Sequence, residues 1–151
     1  MADAYAWVLA ALARRELCEA QIRTRLARRG HLPAEIDAAV ARLRAAGTLD
    51  DARTARAFAR TETRLRHRSR RWVLQRLHGM GIDRSTAEEA AAEVFGELDE
   101  GDLLEATLAR RLRSGVDPAD PAVQRRLHRY LVGQGFEPGR VLAALRARAG
   151  R

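Results

Sequence analysis

The feature that most constrains this chain is a pattern it carries three times: an apolar helical stripe, a glycine, and a second apolar stripe at fixed offsets. Counted from Gly81, apolar residues stand at −8 and −4 (Val73, Leu77), at +1 (Ile82), and at +6 and +10 (Ala87, Ala91). Counted from Gly30, Ile22, Leu26, Leu32, Ile36 and Val40 fill −8, −4, +2, +6 and +10. Counted from Gly135, Leu127, Leu131, Phe136, Val141 and Leu145 fill −8, −4, +1, +6 and +10. The glycines stand 51 and 54 residues apart. Self-similarity at such a period marks a repeat architecture.

Each copy has a direct physical reading. Apolar residues four apart lie on one face of a helix. A glycine just past them suits the left-handed conformation that ends a helix, and an apolar neighbour packs back on the helix it follows. A polar residue, a proline or a short turn then opens a second helix. With one more helix before each copy, the chain divides into three units of three helices, at 1–49, 50–101 and 102–151. Units this small bury little core alone. Stacking into an elongated, curved, all-α solenoid is therefore expected.

Composition agrees with helices. Hydrophobic residues make up 46% and charged residues 32%, and β-branched residues never alternate over a useful length. No apolar run reaches the length of a membrane span and no secretory signal opens the sequence, so a cytoplasmic location without membrane contact is expected. The single Cys18 has no internal disulfide partner. The net charge is +8 and the isoelectric point is near 11.2. All 28 basic residues are arginine. Without lysine, P-loop and Schiff-base chemistry are excluded. Arginine suits forked contacts with carboxylates and phosphates. A coding bias toward arginine and alanine explains the residue choice equally well, so the sign of the charge says more than the residue type.

Taken in order, helices are expected at 4–13 (Tyr5, Val8, Leu9 and Leu12 spaced for one face), 18–29, 33–47, 51–65, 70–78, 85–95, 103–113, 122–134 and from Pro138 onward. Cys18 and Gln21 occupy the places of a capping box, where serine and glutamate are usual. Asp50 or Asp51 caps the fourth helix, and the second carboxylate favours its dipole. The acidic, glycine-flanked segment 96–102, with Glu97, Asp99, Glu100 and Asp102, reads as a boundary. The segment 114–121, with two prolines, reads as a loop.

No catalytic set emerges. His31, His67, His78 and His128 lack the paired spacing of a zinc site, Cys18 has no evident histidine partner, and Ser69 and Ser114 have no nucleophile motif around them. No cofactor is expected. The strongest functional reading falls on the run 64–71, where Arg64, Arg66, Arg68, Arg70 and Arg71 lie between two helices and suit phosphates or an acidic protein surface. The plain alternative is a solvated basic loop. Arg110 and Arg111 (with Arg113), Arg125, Arg126 and Arg129, and the pair Arg14 and Arg15 are lesser candidates for partner or nucleic-acid contact. With 3 Phe, 2 Trp and 2 Tyr, the chain has little for a base-stacking platform.

At these residues the chain resembles the RecX family, bacterial regulators of the recombinase RecA. The resemblance runs from Tyr5 to Arg148. Its first motif is 12–26 followed by Gly30, where Cys18 replaces a serine cap and Gln21-Ile22 replaces Glu-Leu. The second is Gly47-Thr-Leu-Asp-Asp51, whose core of Leu49, Asp50 and Asp51 is the most specific match and reads as structural. Thr54 fills a slot where the family commonly has Phe. The third is 71–82, where Arg76 stands in place of the usual glutamate and the family's preceding glycine is missing from 66–70. The resemblance implies three tandem three-helix repeats in a crescent. It also implies binding along the groove of the RecA–DNA filament, which lowers filament growth, ATP hydrolysis, strand exchange and coprotease activity. The alternative on physical grounds alone is a DNA-binding protein of helix-turn-helix-like repeats.

Overall fold

The three glycine turns are built alike. Gly30, Gly81 and Gly135 take φ of 87°, 89° and 97°. In each, the glycine N–H bonds back to the carbonyl three residues earlier (Ala27, His78, Val132). The following N–H bonds to the carbonyl five residues earlier (Leu26, Leu77, Leu131). This pair of bonds is the Schellman ending of a helix. The computed structural model describes residues 3–96, 98–113 and 115–150; Glu97 and Ser114 lie outside the described residues.

Among the described residues the chain is all helix: α1 (Ala4–Leu12), α2 (Glu19–Arg28), α3 (Pro33–Ala45), α4 (Asp51–Arg66), α5 (Arg70–Gly79), α6 (Arg84–Gly96), α7 (Glu100–Arg111), α8 (Pro121–Gly133) and α9 (Pro138–Ala149). The three Schellman turns join α2 to α3, α5 to α6 and α8 to α9, so the helix-glycine-helix motif recurs three times in an all-α repeat fold. Short polar side chains start the helices: Asp3, Asp120 and Glu137 accept N–H bonds in the first turns of α1, α8 and α9. Gln21 Oε1 accepts from the Cys18 N–H at 3.1 Å, one half of the expected capping box.

The periodic apolar positions are buried with one exception, Leu32, which is 65% exposed. The slot just after the glycine is fixed by the turn, and in the first motif it belongs to His31, whose side chain is only 9% exposed. Ile82 and Phe136 fill the same slot in the other two copies and are buried. Leu9, expected on the inner face of α1, is also exposed, and Val8 takes the core position. Asp99 Oδ1 accepts from the Gly101 and Asp102 N–H groups and starts α7 at Glu100. Glycine in a first turn costs little there, and the carboxylates favour the helix N-terminus.

Tertiary contacts group the chain into two compact units, Met1–Phe58 with Arg76–Ala90, and Ala59–Gln75 with Ala91–Arg151. In the first, α3 packs on α1 and α2 around Val8, Leu17, Ile22, Leu26, Val40 and Leu43. In the second, α8 packs on α9 and α7 around Leu104, Leu108, Leu127, Leu131, Phe136 and Val141. Full burial of one such side chain stabilises by about 2 kcal/mol.

Each unit also contains one joint of the same design. In the first, the Cys18 thiol, at the N-cap of α2, bonds the Met80 carbonyl at 3.1 Å, just before Gly81. In the second, the Ser69 hydroxyl, just before α5, bonds the Gln134 carbonyl at 3.3 Å, just before Gly135. Cys18 and Ser69 both stand twelve residues before the glycine of their own motif. The approach is close. A Cβ on Gly81 would run into the Ala20 Cβ, and one on Gly135 would run into Ser69 Oγ and lie 2.7 Å from the Trp72 Cβ.

Candidate functional site

The run 64–71 is a built turn rather than a loose loop. α4 ends at Arg66, and His67 takes a left-handed φ of 55°, a position usually left to glycine. The His67 and Arg68 N–H groups bond back to the Thr63 and Glu62 carbonyls. Ser69 Oγ then accepts from the Trp72 N–H at 3.3 Å and starts α5. Arg68 is held on three sides. Its guanidinium bonds Gln134 Oε1, lies 4.3 Å over the Trp72 ring, and sits 3.9 Å from the carboxylate of buried Glu62. Tertiary contacts draw Arg68 and Ser69 inward, so the run is not a wholly solvated loop.

The same turn forms one wall of a hollow of about 480 Å³ in the second unit. Arg66, His67 and Arg68 face Arg110, Arg111 and Arg113 across it, and Thr107, Tyr130 and Gln134 complete the lining. The last turn of α7 supplies Arg110 and Arg111, where cations also suit the helix dipole. Arg111 stacks on the Tyr130 ring at 3.7 Å. Arg113 Nε reaches the Arg110 carbonyl at 3.4 Å. Glu62 pairs with Arg66 at 3.3 Å. Burial, and secondarily the charge of Arg110, lower the His67 pKa, so its imidazole is neutral at pH 7. Its Nδ1 is buried and, among the described residues, has no hydrogen-bond partner.

Two of the arginine segments singled out in the sequence thus converge, through Arg66, Arg68, Arg110 and Arg111. The others stay apart. Arg64, Arg70 and Arg71 are exposed on α4 and α5, and Arg14 and Arg15 are exposed after α1. Arg125 and Arg129 border a shallow groove floored by Val132, Leu142 and Leu145, and Arg126 is exposed on α8. Sequence reasoning missed His67, Tyr130 and Gln134 as lining groups. Tyr130 on α8 and Gln134 at its C-cap are four residues apart, a spacing that marks a shared helix face but not what faces it. It also missed a second group, Arg25, Arg28 and Arg76, which lines a hollow in the first unit with His78.

Leu49, Asp50 and Asp51 sit elsewhere, in the first unit. Leu49 is buried in its core. Asp50 Oδ1 accepts from the Arg53 N–H at 3.0 Å and caps α4. Asp51 reaches across to α2. Among the described residues no group of three or more His, Cys, Asp or Glu side chains is placed to hold a metal, and no helix is long and apolar enough to cross a membrane. Forked cations around a hollow suit the binding of an oxyanion.

Known proteins match this sequence and this fold. The pattern of the RecX first three-helix domain matches residues 4–43, and that of the RecX second three-helix domain matches residues 50–90. The chain belongs to the RecX family. It is 37% identical over 144 residues to a regulatory protein RecX of Thermus thermophilus, covering 95% of this chain and 91% of that protein. It is 32% identical over 136 residues to a regulatory protein RecX of Halorhodospira halophila, covering 90% and 82%. A crystal structure of regulatory protein RecX shares the fold, with a TM-score of 0.73 at 21% identity over 97% of this chain and 71% of that one. The RecX family is one of regulatory proteins, and this chain is a member of it.

Proposed function

We propose that this protein is a non-catalytic, stoichiometric regulator that binds the RecA–DNA filament. It acts as a monomer in the cytoplasm and restrains RecA recombinase, ATPase and coprotease activities in recombination, DNA repair and the SOS response. Its repeats span 1–49, 50–101 and 102–151, and the filament is met by arginines dispersed over them, with single- or double-stranded DNA as a further contact. The observation that carries this reading is membership of the RecX family together with the convergence of Arg66, Arg68, Arg110 and Arg111 on one hollow. Forked cations gathered around a hollow suit the binding of an acidic or phosphate-bearing partner.

A second reading, a DNA-binding protein built from helix-turn-helix-like repeats, is favoured by the same cations, since phosphates bind guanidinium forks in the same way as carboxylates. The test titrates this protein into RecA hydrolysing ATP on single-stranded DNA, beside a binding assay on bare DNA. Inhibition below one protein per recombinase, with weak binding to bare DNA, supports the regulator. No inhibition, with tight and salt-sensitive binding to bare DNA, supports the second reading and overturns the first.

A further inference from the structure

The hollow between the turn at 66–68 and the end of α7 has more cation than its surroundings use. Glu62 answers Arg66 and, at longer range, Arg68. Arg110, Arg111 and Arg113 also line the space, and no carboxylate does. One acidic side chain would bring one charge and two acceptor oxygens. A phosphate group brings up to two charges and three or more acceptors, which fits several forks converging from two elements. The His67 side chain is part of the same lining, with its Nδ1 buried from solvent. The Arg111–Tyr130 stack makes one wall flat and partly apolar, and a sugar or base attached to the phosphate has a surface to lie on.

We infer that this hollow is a binding site for one phosphate group of a nucleotide, held by Arg66, Arg110, Arg111 and Arg113, with His67 in its lining as a reporter. The site goes beyond the regulatory reading, because it takes the phosphate with no recombinase present. The phosphate comes either from a free nucleotide or from the backbone of a strand.

The test uses the full chain alone. The His67 imidazole resonance, assigned with His67→Gln, is followed by NMR during additions of inorganic phosphate, thymidine monophosphate, an oligothymidylate and a polyglutamate peptide. A saturable shift with the phosphate-bearing probes is expected, weakened about tenfold by Arg110→Gln or Arg113→Gln and unchanged by Arg84→Gln, an exposed position outside the hollow. For the oligothymidylate, Arg110→Gln lowers the salt slope by about 0.7, the share of one phosphate contact. Oligothymidylate binding far tighter than the mononucleotide identifies the strand as the source; equal binding identifies the free nucleotide. The inference is overturned if no phosphate probe shifts the resonance, if only polyglutamate does, or if the shift survives both variants. Such a failure leaves the RecA titration untouched, so the two readings fall separately.

Discussion

The carboxylate of Asp51 accepts a hydrogen bond of 2.8 Å from the backbone N–H of Glu19, tying the first turn of α4 to the first turn of α2. That N–H is one of the donors a helix start leaves unpaired, and a carboxylate there also faces the positive end of the α2 dipole. The Glu19 side chain in turn holds Arg23 at 2.8 Å and pairs with Arg44. The second aspartate of the Leu-Asp-Asp motif therefore caps a helix remote in sequence, while the first caps its own.

Asp51→Ala is expected to cost about 1 kcal/mol, the usual worth of a cap, in urea denaturation. Asp51→Asn keeps an oxygen acceptor and costs less. The pH profile separates the charge from the bond. Burial raises the Asp51 pKa above its ordinary 3.8, partly offset by the Glu19 N–H. The folded state thus holds this proton more tightly than the unfolded chain, and stability falls as pH rises from 3.8 through the folded value. Asp83 and Glu137 shift the other way. Asp83 is lowered by the Thr86 hydroxyl and N–H, and Glu137 by the Gly139 and Arg140 N–H groups. Their contribution is present above the ordinary carboxylate range and is lost as pH falls through their depressed values. Asp51→Asn should remove only the first effect; a profile superimposable on that of the parent would eliminate Asp51 from the acid response.

Gly135→Ala is expected to cost several times more than Gly47→Ala. Both glycines have positive φ, a strain of about 1 kcal/mol for alanine. At Gly47 nothing lies within 4 Å of the added methyl, whereas at Gly135 it meets Ser69 and Trp72. Parallel urea titrations of the two variants measure the difference, and equal costs would mean that the Ser69–Gln134 joint gives way freely.

Arg68→Ala is expected to lose about 2 kcal/mol, since it deprives buried Glu62 of a cation and Gln134 of a donor. Arg71→Ala, on an exposed position, should stay within about 0.5 kcal/mol. Thermal melts of the single variants decide this. A combined substitution of Arg68, Arg70 and Arg71 mixes a folding defect with a binding defect, so partner contacts are better probed at Arg71 and Arg110.

The helices were legible because their signals are local. Apolar spacing, a glycine and a cap each act within a turn or two, and α4, α5 and α9 begin at the expected residues. Leu32 departs from the pattern because register outranks apolarity: the Schellman bonds assign the inward slot by count from Gly30. The site was half legible. Charge density marks Arg66, Arg68, Arg110 and Arg111, but their meeting depends on how separate helices pack. Nothing local announces a left-handed His67 or a Tyr130 turned toward Arg111. The long-range role of Asp51 was equally hidden, because its partner is a main-chain N–H that any residue at position 19 except proline provides.

Cys18 should resist alkylation in the native protein and react once unfolded. It is fully buried, and burial raises its pKa, which disfavours the reactive thiolate. Iodoacetamide labelling at pH 8, with and without urea, checks this. Its counterpart gives a stability test: Ser69→Ala should cost about 1–2 kcal/mol by removing both a cap and a buried hydrogen bond, and Ser69→Cys should recover part of that loss.

The two joints are asymmetric in what mutation can reach. Their acceptors, the carbonyls of Met80 and Gln134, belong to the main chain, and no codon change at those positions deletes them. Their donors are side chains, one letter per motif. Inheritance of the joint therefore rests on position 18 in one copy and position 69 in the other, while the joint itself asks nothing of the acceptor residue's side chain, a methionine in one place and a glutamine in the other.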